Sequence, residues 1–274
     1  MKNEDRSVRF LYSTAAGRTL LKTVMGLHMD RVMVRFLCSP SSRMIIAPYA
    51  KKNSIPLTKE DLRSFRSYRE FFLRRIRRDI DMDPSHLISP CDGWLSVYDI
   101  AREGSFSIKG SVYTVDDLTG DPLLAERYRS GTALVFRLCA SDYHHYCYID
   151  DCIQGENHFI PGVLHSVQPI ACETYPVFVL NRRNWCLMET DNFGPVVQTE
   201  IGALVVGGIT NFNENARVSR GQDKGHFELA GSTIVLLFEK GRITLRDSVI
   251  SALKGSEEVR VLQGMWIGSK ANNE

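Results

Sequence analysis

Leu229-Ala230-Gly231-Ser232-Thr233-Ile234-Val235-Leu236-Leu237-Phe238 is a run of ten residues in which a Gly-Ser-Thr step opens directly onto five apolar side chains. The apolar part is short, with β-branched residues at its start and an aromatic at its end. That pattern predicts a buried strand. Taken alone, Gly231-Ser232-Thr233 is no more than a β-turn. As a nucleophile site it does not fit Gly-x-Ser-x-Gly, in which the serine sits on a turn between a strand and a helix. Here a strand follows, which argues against an α/β hydrolase.

The texture of this stretch extends back to residue 80. Short β-rich runs at 94–100, 132–138, 196–209, 232–238 and 242–245 are separated by turn pairs at Asp92-Gly93, Lys109-Gly110, Lys224-Gly225 and Lys240-Gly241. In front of them, residues 1–79 read as helical. Leu21, Val24, Met25, Val32 and Phe36 fall on one helical arc, and Ser39-Pro40-Ser41-Ser42 should end that helix. Thr58 with Asp61 marks a second start. Ser67 with Glu70 has the spacing of a capping box, opening a helix through Phe71, Phe72 and Ile76 that carries Arg69, Arg74, Arg75, Arg77 and Arg78. The fold class expected is α+β: a helical region over 1–79 followed by a mostly antiparallel β catalytic domain over 80–274. The join at 80–89 lacks the glycine and serine of a flexible linker.

Composition narrows the function. The chain has 274 residues, 43% of them hydrophobic and 24% charged, enough for a packed core and too apolar for wholesale disorder. It has no apolar run of 18 residues and its first ten residues lack a signal-peptide core, so neither a spanning helix nor a secretory leader is expected. Seven scattered cysteines without a Cys-x-x-Cys pair argue against a disulfide framework or a zinc ribbon. The net charge of +2 hides a front end, 1–79, at +11 and a remainder at −9. Such a front suits an anionic partner, and the scarcity of aromatics among its basic residues favours a membrane surface over a single-stranded nucleic acid.

Three clusters carry titratable groups. Ser89-Pro90-Cys91-Asp92-Gly93 is a turn that could also hold a carboxylate rigidly enough to orient a histidine. In Asp142-Tyr143-His144-His145-Tyr146-Cys147 the two histidines would face opposite ways on a strand, so at most one points into a given site. Cys147 and Cys152 have no second ligand pair, and no metal site is expected. The third cluster is Gly231-Ser232-Thr233 itself.

Together these pieces resemble the phosphatidylserine decarboxylases, a pyruvoyl-dependent, self-cleaving family. The resemblance is carried by Phe71-Phe72-Leu73-Arg74, Ser89-Pro90-Cys91-Asp92-Gly93, Ile108-Lys109-Gly110, Asp142-Tyr143-His144 and Gly162-Val163-Leu164-His165-Ser166-Val167. It continues through Phe178 with Asn181 and Arg183, Val206-Gly207-Gly208-Ile209, and Lys224-Gly225-His226-Phe227 leading to Gly231-Ser232-Thr233. Each piece is unspecific alone; their order and spacing are specific. Two positions depart from the common pattern: Ala230 stands where leucine is usual, and Cys147 where many members have a second histidine.

The resemblance implies two reactions at one serine. Ser232 Oγ attacks the carbonyl of Gly231 with His144 as base and Asp92 fixing its tautomer. The chain breaks between Gly231 and Ser232, giving fragments 1–231 and 232–274, the second capped by a pyruvoyl group made from Ser232. That group condenses with the amine of phosphatidylserine as a Schiff base and accepts the electrons released with carbon dioxide, leaving phosphatidylethanolamine. The resemblance also implies a peripheral enzyme on the cytoplasmic side of an anionic membrane, and a homodimer. Phe71 and Phe72 either meet the membrane or pack inward. Three other readings stay open: a pyruvoyl decarboxylase of a soluble amine, a serine hydrolase using Ser232, His144 and Asp92, and a non-catalytic binding domain.

Overall fold

Seven successive buried residues need cover on both sides, and the strand Ser232–Phe238 has it. In the computed structural model, which describes residues 6–26, 29–108, 111–163, 165–203, 208–229 and 231–271, this strand runs through the middle of a nine-stranded sheet. Ile234, Leu236 and Phe238 enter one core with Leu134, Phe136 and Val196. Val235 and Leu237 enter the opposite core with Val135, Val197 and Tyr128. Side chains alternate across a strand, so burial on both faces replaces the usual apolar–polar alternation with a continuous apolar run.

Along the sheet the order is Ala216–Val218, Cys152–Gln154, Arg183–Thr190, Gly194–Gly202, Ser232–Phe238, Thr132–Leu138, Gly93–Asp99 and Val259–Val261, with His158–Ile160 also pairing to Arg183–Thr190. The ladders are antiparallel. On the side of the first core lie two three-stranded sheets: Ile209–Asn211, Asp223–Phe227 and His145–Cys147; and His86–Ile88, Trp266–Lys270 and Ile243–Leu245. The segment after Ser232 thus supplies a central strand, an edge strand and two strands of a second sheet.

Register brings chain-distant residues to one end of the large sheet. Ser232 stands opposite Leu138 on one side and Gly202 on the other. Trp94 stands opposite Arg137, so Asp92 enters its strand beside the point where Leu138 leaves. The approach is close: a Cβ on Gly93 would meet the Arg137 carbonyl oxygen at 2.9 Å.

The helices come first, as the patterning predicts: Arg6–Ser13, Ala15–Gly26, Met29–Leu37, a 3₁₀ turn at Pro40–Ile45, Ile46–Lys52, Lys59–Ser64 and Tyr68–Phe72. Thr58 and Asp61 form the expected capping box. At Ser67 only half of one forms: its hydroxyl accepts from the Glu70 N–H, while the Glu70 carboxylate takes the Arg66 N–H at 2.7 Å. That helix stops at Phe72 instead of running through Ile76. The Leu73 carbonyl lies 3.2 Å from His145 Nε2, and the chain continues without regular structure to the His86–Ile88 strand. Phe71 and Phe72 pack inward, with Leu37, Ile46, Tyr68 and Leu229, in a third core.

Two further readings change in detail. The run at 196–209 is not one strand: Gly194–Gly202 belongs to the large sheet and Ile209–Asn211 to a small one. Among the described residues, five helices inside the β-rich part, including Pro169–Thr174 and Asp247–Gly255, were not expected. The side chains of Leu21, Val24 and Met25 lie outside the described residues, as do Lys109, Gly110, Leu164, Val206, Gly207 and Ala230.

Candidate active site

The chain leaves the large sheet at Leu138, opposite Ser232, and makes a turn closed from both sides: Asp142 N–H donates to the Cys139 carbonyl at 2.9 Å and Cys139 N–H to Asp142 Oδ2 at 2.7 Å. Arg260 holds the other carboxylate oxygen of Asp142 at 2.8 Å. The turn is therefore rigid, and it aims the Asp142 carbonyl at His144 Nδ1, 2.9 Å away. A carbonyl only accepts, so Nδ1 carries the proton in the neutral ring and Nε2 is the basic nitrogen. Phe72 lies against the fully buried imidazole with ring centroids 4.2 Å apart.

Asp92 has other partners. Its carboxylate pairs with Arg78 through both oxygens and accepts the Gln263 N–H at 3.0 Å. The expected hydrogen bond from the His144 N–H to the Asp92 carboxylate is not among these; Nδ1 faces the Asp142 carbonyl instead. Asp142 was visible in the Asp142-Tyr143-His144 motif, but sequence offered no sign that its backbone would orient the histidine. Arg78, Gln263 and Arg260 came with no signal, since each reaches the site from a different element.

The adjacent histidine is spent differently. His145 Nδ1 lies 3.0 Å from Asp223 Oδ2 and Nε2 3.2 Å from the Leu73 carbonyl, with the ring stacked on Tyr143. It ties the β region to the basic segment that follows Phe72. Cys147, at the departing position, is buried, and burial pushes its thiol up to about 12. A thiol with that pKa stays protonated near neutrality and is a poor base.

Gly231 and Ser232 sit at the mouth of the central strand. A Cβ on Gly231 would meet the Leu138 carbonyl oxygen at 3.2 Å and Val167 Cγ2 at 3.8 Å, so a side chain there would be tight. Two residues earlier Leu229 holds φ at +36°, a left-handed conformation that costs a non-glycine residue about 1–3 kcal/mol. Its side chain is anchored in the third core with Phe71 and Phe72. Glu228 is clamped by Arg69 at 2.5 and 2.7 Å. Burial alone would raise its carboxyl, but hydrogen bonds from His226 and Arg69 outweigh that and hold it at about 2.

Other motif residues serve the scaffold. Asn181 takes the His165 N–H and donates to the His165 and Gly202 carbonyls, each at 2.8 Å, pinning the loop that starts at His165 to the same end of the sheet. Arg183 donates to the Leu118, Val179 and Asp117 carbonyls. Lys224 and Glu200 form a fully buried pair at 2.8 Å.

Residues 68–265 match the model of the phosphatidylserine decarboxylase family. The chain is 37% identical over 269 residues to a phosphatidylserine decarboxylase proenzyme 2 of Clostridium acetobutylicum, covering 97% of this chain and 92% of that one. It is 34% identical over 272 residues to a phosphatidylserine decarboxylase proenzyme of Clostridium beijerinckii, with 96% and 92% covered. It is 36% identical over 273 residues to one of Ruminiclostridium cellulolyticum, with 96% and 91% covered.

Proposed function

Because the chain belongs to the phosphatidylserine decarboxylase family, an enzyme family that removes carbon dioxide from phosphatidylserine, we propose that it processes itself between Gly231 and Ser232 and acts through a pyruvoyl group made from Ser232. The observation that carries this reading is the convergence at one end of the large sheet. Gly231-Ser232 enters opposite Leu138, and the turn that starts there orients His144 through the Asp142 carbonyl.

His144 Nε2 takes the Ser232 hydroxyl proton as Oγ adds to the Gly231 carbonyl carbon. Collapse breaks the Gly231–Ser232 amide and leaves an ester, with the proton delivered to the Ser232 nitrogen. Loss of the Ser232 α-proton then expels the Gly231 carboxylate. Water replaces the resulting enamine nitrogen, which departs as ammonia, and the 1–231 and 232–274 fragments remain. Glycine at 231 leaves the attacked carbonyl open, and the left-handed Leu229 supplies strain that bond rotation can release. When formed, the pyruvoyl group supplies an electron sink for the bond between the substrate α-carbon and its carboxylate. His144 then returns a proton to the α-carbon. Asp92 supports the site through Arg78 and Gln263.

The substrate lies in a lipid surface, and the front of the chain suits one. Phe10, Leu20, Val32, Met33, Phe36 and Met44 are exposed on its helices and turns, among Arg9, Arg18, Arg35 and Arg43. Among the described residues no helix is long and apolar enough to cross a membrane.

Intact mass of the purified protein, wild type beside Ser232→Ala, tests the reading. The wild type should give two fragments split at 231/232, the smaller with a pyruvoyl terminus and able to release carbon dioxide from phosphatidylserine vesicles. Ser232→Ala should stay one chain of 31.0 kDa. Two intact chains, both folded, would end it; a cleaved wild type that decarboxylates only free serine would move the substrate to a soluble amine.

A further inference from the structure

Tyr12 lies on the first helix, Arg6–Ser13, more than 150 residues from the loop it touches, and it is 1% exposed. Its hydroxyl oxygen accepts the Ser166 N–H at 2.8 Å and lies 3.3 Å from His165 Nδ1. Burial pushes the phenol up to about 12 and lowers the pKa of His165, so a protonated phenol facing a neutral imidazole donates its one hydrogen to Nδ1. The tyrosine ring meets His165 and Tyr175 edge-on, each at 6.1 Å, and those two rings stack at 4.8 Å and 12°. The next loop residue, Val167, is the side chain beside Gly231. Asn181 fixes the loop from the sheet side through both backbone groups of His165. Tyr12 fixes it from the helix side through the following N–H.

We propose that Tyr12 is a positioning residue: by holding the Ser166 N–H it sets the 165–167 loop against the Gly231–Ser232 bond, and so couples the seating of the first helix to the reactive centre. This rests on the self-processing reading given above. The hydrogen bond is made by a helix that also displays the exposed Phe10. A surface that moves the helix therefore moves the wall of the site.

The variant Tyr12→Phe keeps the ring and removes the acceptor, leaving a buried N–H unpaired. The rate of cleavage per folded molecule should fall by about tenfold, the factor that corresponds to one such lost hydrogen bond. In enzyme that has completed cleavage, kcat should fall while KM stays near the wild-type value. Rates are normalised to the folded fraction measured by circular dichroism under the same conditions, which removes any loss due to stability alone. A normalised cleavage rate and kcat equal to wild type overturn the proposal and leave the self-processing reading intact. A wild-type chain that never cleaves overturns both.

Discussion

At the residue scale the site depends on which groups occupy the two nitrogens of one histidine. The Asp142 carbonyl takes Nδ1 of His144, which frees the carboxylate of Asp92 for Arg78 and fixes the tautomer with a group that cannot titrate. Cys147 should be dispensable, since its thiol is held up at about 12. Cys147→Ala is expected to leave the rate of cleavage within a factor of about two while lowering stability by about 1 kcal/mol for the small cavity, as intact mass and urea unfolding would show. Leu229 makes the opposite case. Leu229→Gly relieves a left-handed backbone worth about 1–3 kcal/mol and gives up a buried side chain worth about 1.5–3 kcal/mol. The urea midpoint should move little, yet cleavage should slow because the strain is gone. Unchanged cleavage would mean the strain plays no part.

At the scale of elements, the short helix Tyr68–Phe72 is held to the strand Asp223–Phe227 and the residues after it by two seams. One is Arg69 with Glu228; the other is His145 between Asp223 and the Leu73 carbonyl. The first seam has a clear pH dependence. The Glu228 carboxyl sits at about 2 in the folded chain against an ordinary 4.5, so its contribution to stability is complete above about 4.5 and drains away as the pH falls toward 2. Arg69→Ala should therefore cost about 1 kcal/mol at pH 7, since the arginine end of the pair is partly in solvent, and much less at pH 2, by urea unfolding at the two values. An equal cost at both would rule out Glu228 as the partner that matters. The same helix places Phe72 on His144, so the variant should also cleave more slowly at pH 7.

At the scale of the whole molecule, the segment after Ser232 runs through the centre of one sheet, its far edge and a second sheet. The proposed cut before Ser232 would break one covalent bond and leave these strands paired, so the two fragments would stay one protein. The basic, apolar-studded front faces a different task. Vesicles containing anionic lipid should bind the protein, and binding should weaken as salt rises from about 0.05 to 0.5 M, because screening shortens the reach of the arginines. Phe36→Asp should weaken it at every salt concentration by removing an exposed apolar contact. Binding indifferent to both changes would place the membrane contact elsewhere on the molecule.

Much of this was written in local sequence. Ser232–Phe238 and Thr132–Leu138 were legible to the residue because a strand buried on both faces leaves an apolar run, Ile234–Phe238 in one and Ala133–Phe136 in the other. The Thr58 cap was legible because capping is settled within one turn, and the family because its motifs keep their order. The end of the helix at Phe72 was not, since it is made by a histidine 72 residues away. The partners of Asp92 and His144 were hidden for the same reason. Propensity and periodicity act over a few residues, whereas a hydrogen bond between Asp92 and the Gln263 N–H, or between Tyr12 and the Ser166 N–H, exists only once the folded chain has brought both ends together. Sequence named candidate residues; packing chose which of them face one another.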